Sequence, residues 1–265
     1  MSPSSSRPWA EFPVEAAPRL IGVLTDIDDT LTTDGRITPD ALQALAELKA
    51  AGLHVIAITG RPMGWSEPFA RDWPIDAIVA ENGAVALFRE GDGPLRIEYA
   101  QDDATRARHA VRLREVAARV LREVPGATLA QDSAGRVTDI AIDHSEFAHL
   151  SALQIDAVVQ LMASEGMCAT VSSIHINGWF GEHTKLSGAR WIVQRLLART
   201  LEADEWVYVG DSTNDQLMFG HFPVSVGVAN LMHFADALSV WPTFITDGAR
   251  GAGFADVART LTRRR

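Results

Sequence analysis

Three aspartates that closely follow a short apolar run constrain the possible folds of this chain more than any other sequence feature. Residues 20–24 read as a buried strand of a parallel sheet, and Asp26, Asp28 and Asp29 follow within five positions. In an open α/β sheet, ligands bind outside the carboxyl ends of the strands, so these carboxylates are expected at the mouth of a site. Because such close like charges repel one another, the segment is either a solvated acidic turn or a site for a hard cation.

A second apolar strand, residues 54–58, ends in a hydroxyl and a glycine. Thr59 and Gly60 follow it directly, and a side-chain O–H together with free backbone N–H groups can hold phosphate oxygens there. A Thr-Gly pair after a strand is also a common turn. Whether Thr59 and Gly60 belong to a phosphate site therefore depends on which other residues lie at the same edge of the sheet.

Two further segments carry residues that could belong to the same phosphate site. Lys185 begins an amphipathic helix and could supply a cation to a bound phosphate, although a lysine in a first helical turn is commonly a surface residue. Residues 207–210 form a third apolar strand, followed by Asp211 and Asp215. Four such signals in this order favour a single phosphate site at the carboxyl edge of one sheet.

These four segments resemble the motifs of the haloacid dehalogenase-like (HAD) phosphohydrolase superfamily. Asp29 and Ser212 stand where many members of that superfamily carry glycine. The stretches at 58–62 and 80–84, together with the long insert before Lys185, are similar to the Cof-type subfamily IIB, which includes sucrose-phosphate and mannosyl-3-phosphoglycerate phosphatases. The superfamily pattern consists of DxDx[TV], a Ser or Thr at a strand end, a Lys, and GDxxxD. In this chain the corresponding segments are DIDDT at 26–30, Thr59, Lys185 and GDSTND at 210–215.

The order of predicted elements divides the chain into a core and an insert. Residues 18–100 and 179–265 alternate strand and helix, which indicates an α/β fold with a Rossmann-like, doubly wound parallel sheet. Residues 101–178 read as helix-strand-strand twice, matching the α+β cap (αββ-αββ, C2-type) of the subfamily. Residues 1–17, rich in Ser and Pro, are expected to form a mobile N-terminal extension. A cap of this kind would exclude stray water and contact the leaving group.

The resemblance implies a phosphatase that works through an aspartyl-phosphate intermediate. Asp26 would be the nucleophile, and Asp28 would be the general acid and then the general base. Thr59, the backbone of Gly60 and Lys185 would hold the phosphate oxygens where charge is greatest in the transition state.

The cofactor implied by the resemblance is Mg²⁺. Asp26, the backbone carbonyl of Asp28 and Asp211 would hold it, and water would complete an octahedron. Asp215 would support this set directly or through a water, and Asn214 could help by hydrogen bonding.

Four further residues are predicted to contact substrate. Arg61 and Asn82 lie just past strand ends and could touch a sugar hydroxyl or a second anionic group. His175 and Asn177 alternate with isoleucines, so they share one face of a predicted cap strand. They contact substrate if that face looks at the core and are solvated residues otherwise. The expected partner is a small phosphorylated metabolite, either a sugar phosphate or a phosphoglycerate derivative.

Composition favours a soluble cytoplasmic enzyme. The chain has 265 residues and a formal net charge of −10, which argues against a nucleic-acid or membrane-surface partner. The single cysteine, Cys168, excludes an intramolecular disulfide and fits a reducing compartment. No run of ~18 apolar residues occurs, and the first residues lack the apolar segment of a signal peptide.

Alternative functions stay open at this point. A phosphomutase of the same superfamily would carry the same motifs and return the phosphoryl group to a sugar. A sugar-phosphate-binding module that has lost catalysis is a second alternative, although all four motifs are intact. A dehalogenase is disfavoured, because it would need neither Asp28 nor a metal ion.

Overall fold

The computed structural model describes residues 6–91 and 93–263. Within them the chain forms a nine-stranded sheet, a four-stranded sheet and a two-stranded hairpin. In the same residues, no helix is both long and apolar enough to cross a bilayer. The α-helices are α1 (Pro39–Ala50), α2 (Met63–Asp72), α3 (Asp103–Glu123), α4 (Ala152–Ser164), α5 (Lys185–Leu197), α6 (Gln216–His221) and α7 (Arg250–Thr262). The strands are β1 (Arg7–Pro8), β2 (Gly22–Thr25), β3 (Thr32–Thr33), β4 (Arg36–Ile37), β5 (His54–Ile58), β6 (Ala77–Ala80), β7 (Val85–Phe88), β8 (Arg96–Tyr99), β9 (Thr128–Leu129), β10 (Asp139–Asp143), β11 (Cys168–Val171), β12 (His175–Trp179), β13 (Trp206–Gly210), β14 (Val224–Gly227) and β15 (Phe244–Ile245).

The large sheet has the order β1-β15-β14-β13-β2-β5-β6-β7-β8, and its strands are parallel from β1 to β6. Among the described strands of this sheet only β7 is reversed, pairing antiparallel with β6 and with the edge strand β8, which runs in the direction of the others. Successive side chains of a strand point to opposite faces, so Val23 packs on the side of Phe254 in α7, whereas Leu24 packs on the side of Ile192 in α5. Helices thus cover both faces, and the predicted α/β class with a doubly wound sheet is confirmed.

The four-stranded sheet is antiparallel, with the order β11-β12-β10-β9. Helices α3 and α4 pack on it and bury an apolar layer that includes Val120, Ile142, Met162 and Ile176. The elements follow one another as α3-β9-β10-α4-β11-β12, which is the helix-strand-strand repeat that the sequence predicts. We call residues 101–178 the cap and the rest of the chain the core.

The prediction of a mobile N-terminal extension needs correction for residues 6–17. Strand β1 pairs in parallel with β15. Trp9 is only 4% exposed and stacks on Phe12, with ring centroids 4.5 Å apart, while Phe244 packs edge-on against both rings. Burial of two large aromatic side chains outweighs the Ser- and Pro-rich composition on which the prediction rested. Residues 1–5 lie outside the described residues.

Candidate active site

The three predicted strand ends meet at one edge of the large sheet. Asp26 follows β2, Thr59 follows β5 and Asp211 follows β13, and β2 lies between the other two strands. All three side chains are buried. The backbone N–H of Asp26 donates to the carbonyl of Val209 at 2.8 Å, which continues the sheet pairing to the first carboxylate.

Lys185 reaches the same point from the start of α5. Its Nζ lies 2.6 Å from Asp26 Oδ1, 2.7 Å from Asp215 Oδ1 and 3.2 Å from Asn214 Oδ1. The helix can approach because Gly83 has a φ of +109°, and a Cβ there would lie 2.1 Å from a backbone oxygen just before α5. Burial lowers the pKa of Lys185, but Asp215 and Asp26 raise it above its ordinary range, so the side chain stays a cation.

Asp26, Asp211 and Asp215 form a buried group of acids. One carboxylate oxygen of each lies within 4.8 Å of the others. Burial raises the pKa of Asp26 to about 7, opposed by Lys185 and reinforced by Asp215 and Asp28. Burial and repulsion from Asp26 and Asp215 raise the pKa of Asp211 well above its ordinary value. An all-oxygen set of converging carboxylates matches the ligands of Mg²⁺, so the residues fit that ion, and its charge would relieve their repulsion.

Asp215 differs from the other two acids in its hydrogen bonds. Its Oδ1 accepts from Lys185 and from the Tyr208 hydroxyl, and its Oδ2 accepts from the backbone N–H groups of Asp211 and Ser212 at 2.9 and 3.1 Å. Four donors already occupy its two oxygens. Asp215 therefore shapes the 211–215 turn and fixes Lys185.

The turn after β5 brings polar groups beside these acids. Thr59 Oγ1 accepts from the N–H of Arg61 at 3.0 Å and keeps its own proton to donate. Asn82 lies next to Gly60, its backbone N–H donating to the Thr59 carbonyl at 3.0 Å. The Asn82 Nδ2 group is buried and has no hydrogen-bond partner within residues 6–91 and 93–263. This amide is thus a free donor at the predicted phosphate site.

Arg61 is surrounded by carboxylates from both the core and the cap. Its Nε lies 3.0 Å from each oxygen of Asp28, which belongs to the core. Its Nη1 lies 3.1 Å from Asp132, and its Nη2 lies 2.9 Å from Glu146, and both acids belong to the cap. In this arrangement Arg61 binds protein carboxylates at the positions where a substrate anion was predicted.

His175 and Asn177 lie on the cap face that looks toward the core. Together with Asp26 they line a small cavity of about 10 Å³, which is room for about one water. His175 Nε2 lies 2.8 Å from Glu146, and Asn177 Nδ2 donates to Asp139 at 3.0 Å and to the Gly60 carbonyl at 3.3 Å. Both side chains hydrogen-bond to other groups of the protein in this arrangement, so their contact with substrate stays a prediction.

Known proteins match part of this chain in sequence. Residues 23–109, a segment that contains Asp26, Asp28, Thr59 and Asn82, match the family model described as haloacid dehalogenase-like hydrolase. Over this third of its length, the chain is similar to the haloacid dehalogenase-like hydrolases. A proposed phosphatase of Streptococcus pyogenes serotype M6 is 57% identical to this chain over 42 residues. The match spans 16% of each chain, so this chain covers about a sixth of that relative's length.

Solved structures share the fold of this chain over nearly its whole length. A Thermoplasma acidophilum protein aligns with a TM-score of 0.69 at 18% identity and covers 91% of this chain and 98% of its own. Sucrose-phosphatase from Synechocystis, solved with sucrose and phosphate, gives 0.66 at 16% identity over 92% and 98%. The C-terminal domain of trehalose-6-phosphate phosphatase from Candida albicans gives 0.67 at 13% identity over 98% of both chains. These likenesses establish the fold, including the inserted cap.

Sequence reasoning missed several residues that shape the candidate site. Asn230 follows β14 at the same sheet edge and donates to Asp211 Oδ2 at 3.1 Å; a polar residue after an apolar strand was the signal. Glu81 is fully buried and accepts from the backbone N–H of Thr138 at 2.6 Å, which ties the core to the cap. Arg136 donates to the Gly60 carbonyl at 2.9 Å, a second such tie. For Arg136 and Glu146, charged residues in loops, the sequence offers no signal.

Proposed function

We propose that this protein is a Mg²⁺-dependent phosphatase of the haloacid dehalogenase-like type, acting on the phosphate monoester of a small metabolite. One observation carries the proposal: the Asp26 carboxylate lies at a sheet edge, 2.6 Å from the Lys185 ammonium and beside Asp211. A nucleophile, a fixed cation and a second carboxylate within one buried site are what in-line attack on a phosphate needs. The names of the sucrose-phosphatase and trehalose-6-phosphate phosphatase neighbours favour a sugar phosphate as substrate.

In the proposed reaction, Asp26 attacks phosphorus and carries the phosphoryl group as an aspartyl phosphate. Lys185, the Thr59 hydroxyl and the Asn82 amide hold the oxygens whose charge rises in the transition state. Asp28 gives a proton to the leaving oxygen and later takes one from the water that hydrolyses the intermediate. For that, Asp28 must release Arg61, which binds both of its oxygens in the closed arrangement.

Asp26 and Asp211 would hold the metal ion, with the Asp28 carbonyl and Asp215 in support. When bound, Mg²⁺ supplies the positive charge that offsets repulsion between the carboxylates and the phosphate. Asp215 keeps Lys185 and the 211–215 turn in place while the reaction proceeds.

The test is turnover of acetyl phosphate and an aryl phosphate by wild type and by Asp26→Asn, with Mg²⁺ present. We expect the variant to lose activity by several orders of magnitude while its circular dichroism spectrum is unchanged, because a carboxamide cannot bond to phosphorus. Acid quenching of wild type during turnover of a ³²P-labelled substrate should trap label on the protein, and Asp26→Asn should trap none. Wild-type kcat in Asp26→Asn would overturn the covalent mechanism.

A further inference from the structure

A cavity of about 380 Å³ lies between the core and the cap beside Asp28. Asp28 also lines the small cavity that contains Asp26, so the two spaces meet at this carboxylate. If Asp26 attacks the phosphate as proposed above, the leaving group lies in the larger cavity, where Asp28 can reach its oxygen. The chemistry of this wall then decides which leaving group is accepted, and this inference rests on the proposed function.

The cavity wall carries more negative than positive groups. Four carboxyl groups and two guanidinium groups line it, which leaves two net negative charges when all are ionised and one when Asp28 carries the proton that it gives to the leaving oxygen; they are Asp28, Asp29, Asp34, Glu146, Arg61 and Arg250. A cleft lined by an excess of one sign of charge focuses its field on whatever enters it. A leaving group with its own carboxylate or phosphate would therefore be repelled.

In the closed arrangement both guanidinium groups are paired with carboxylates. Arg61 lies between Asp28 and Glu146, with Nη2 at 2.9 Å from an oxygen of each. Arg250 has its Nε 3.0 Å from Asp29 and its Nη1 3.7 Å from Asp34. After Asp28 has released Arg61 for the proposed proton transfer, Glu146 and Asp132 of the closed cap still pair with that guanidinium. An incoming anion would therefore have to displace a carboxylate from either guanidinium.

The remaining wall suits a hydroxyl-rich group with an apolar face. Phe147 is 61% exposed and lines the cavity, although its backbone is fixed, because its N–H donates to the buried Asp143 carboxylate at 2.9 Å. The hydroxyls of Ser145 and Ser173 line the same space. Carboxylates and serines can bind sugar hydroxyls, and an aromatic ring can cover the C–H face of a sugar.

Asp29 is held at the acidic wall by specific contacts, in spite of an unfavourable backbone conformation. Its φ is +55°, a conformation that disfavours side chains, and many members of the superfamily carry glycine there. Here the side chain contacts Arg250 in the core and Ser173 in the cap. These contacts fix the Asp29 carboxyl group at the cavity wall, at a position where the backbone would favour glycine.

We propose that this cavity selects an uncharged, hydroxyl-rich leaving group of the sugar class and rejects substrates with a second anionic group. Asp29, Asp34 and Phe147 are its specificity-determining residues. A sugar-bisphosphate mutase is disfavoured by the same wall, because its intermediate would place a second phosphate in this cavity.

The test compares kcat/KM for a hexose monophosphate with kcat/KM for the corresponding hexose bisphosphate and for a phosphoglycerate. We expect the monophosphate to be preferred by about tenfold or more. Asp34→Asn, at an exposed rim position, should raise the relative kcat/KM for the bisphosphate by several fold, since one repulsive charge is removed. Asp156→Asn, the same change on the exposed side of cap helix α4, should leave that ratio unchanged. Equal or better use of the two doubly anionic substrates, or no effect of Asp34→Asn, would overturn the proposal.

A second variant tests the aromatic face of the cavity. Phe147→Ala should lower kcat/KM for the hexose monophosphate about three- to tenfold more than it lowers kcat/KM for acetyl phosphate, which lacks a sugar. Leu153→Ala, at an 82% exposed site of α4 outside the cavity, is the matched control. Equal losses on both substrates would count against a sugar-binding role for Phe147.

Failure of the proposed function can be told apart from failure of this inference. If acetyl phosphate is not hydrolysed with Mg²⁺ present, the proposed function fails. The cavity can still be tested by calorimetric binding of the hexose monophosphate and bisphosphate to Asp26→Asn, where tighter binding of the bisphosphate would refute the charge selection.

Discussion

Arg61 holds the carboxylate of Asp28 with Nε at 3.0 Å from both oxygens and Nη2 at 2.9 Å from one of them. The same guanidinium binds Glu146 and Asp132 of the cap. One side chain therefore joins the proposed proton-transfer residue to the cap. The space beside Asp26 is about 10 Å³ in this arrangement, too small for a phosphoryl group. Substrate entry thus requires the cap and the Arg61 contacts to move apart.

Replacing Arg61 should open the cap. In Arg61→Gln, three carboxylates lose their shared cation, and the loss of one partner from a buried ion pair costs about 3 kcal/mol or more. We expect kcat/KM to fall by about 100-fold and amide exchange of residues 144–148 to rise, as measured by mass spectrometry. Arg71→Gln, which breaks an exposed pair with Glu67, is the control. Unchanged exchange in the 144–148 loop would show that Arg61 does not hold the cap.

Activity should require Mg²⁺, and Ca²⁺ should support it poorly or inhibit it. Ca²⁺ takes more oxygen ligands at longer distances, so it can occupy both oxygens of Asp26 and leave none to attack phosphorus. The measurement is kcat on an aryl phosphate after chelation with EDTA, followed by addition of each ion. Full activity in the chelated protein would contradict the metal dependence.

Glu81→Gln should destabilise the contact between core and cap. The Glu81 carboxylate accepts from the backbone N–H groups of Thr138 at 2.6 Å and Met63 at 3.0 Å. A glutamine would turn an NH₂ group toward one of these donors, which costs about 2–3 kcal/mol when the site is buried. Denaturant unfolding measures the loss, and Glu11→Gln at an exposed position provides the control. A change within about 0.5 kcal/mol, the usual range for surface substitutions, would mean that the tie is dispensable.

Glu146 should make stability depend on acidity below pH 4.5. Burial raises the pKa of Glu146, but hydrogen bonds from His175 and Arg61 lower it from 4.5 to about 2. Since the folded pKa is the lower one, the stabilisation is full above pH 4.5 and disappears as the pH falls through about 2. We expect wild type to exceed Glu146→Gln by about 2 kcal/mol at neutral pH, allowing for partial exposure of Glu146. The Tm values of wild type and Glu146→Gln, measured by calorimetry at several pH values, should converge as the pH is lowered. A difference in Tm that does not change with pH would refute the link between Glu146 ionisation and stability.

The sequence by itself determined the fold class and the group of residues at the sheet edge. Apolar strands followed at once by Asp26, Thr59 and Asp211 locate a site, because parallel strands of one sheet present their carboxyl ends at the same edge. The switch in strand and helix order also predicted the cap, since it reflects local periodicity. The N-terminal segment was misjudged because composition does not register that Trp9 and Phe12 find a partner in Phe244, more than 200 residues away.

The tertiary structure alone decided how the cap closes on this site. Arg61 and Asp28 lie in the core, whereas Glu146, Asp132 and Arg136 lie in cap loops, and nothing in their local sequence specifies that they meet. Isolated charged residues in loops form no periodic pattern in the sequence. Their partners are therefore determined by how the cap packs against the core. The balance of charge in the leaving-group cavity follows from the same docking, because Asp29, Asp34 and Arg250 come from the core and Glu146 from the cap. Strand ends can therefore be placed from local pattern, whereas contacts across the interface depend on the packing of the whole molecule.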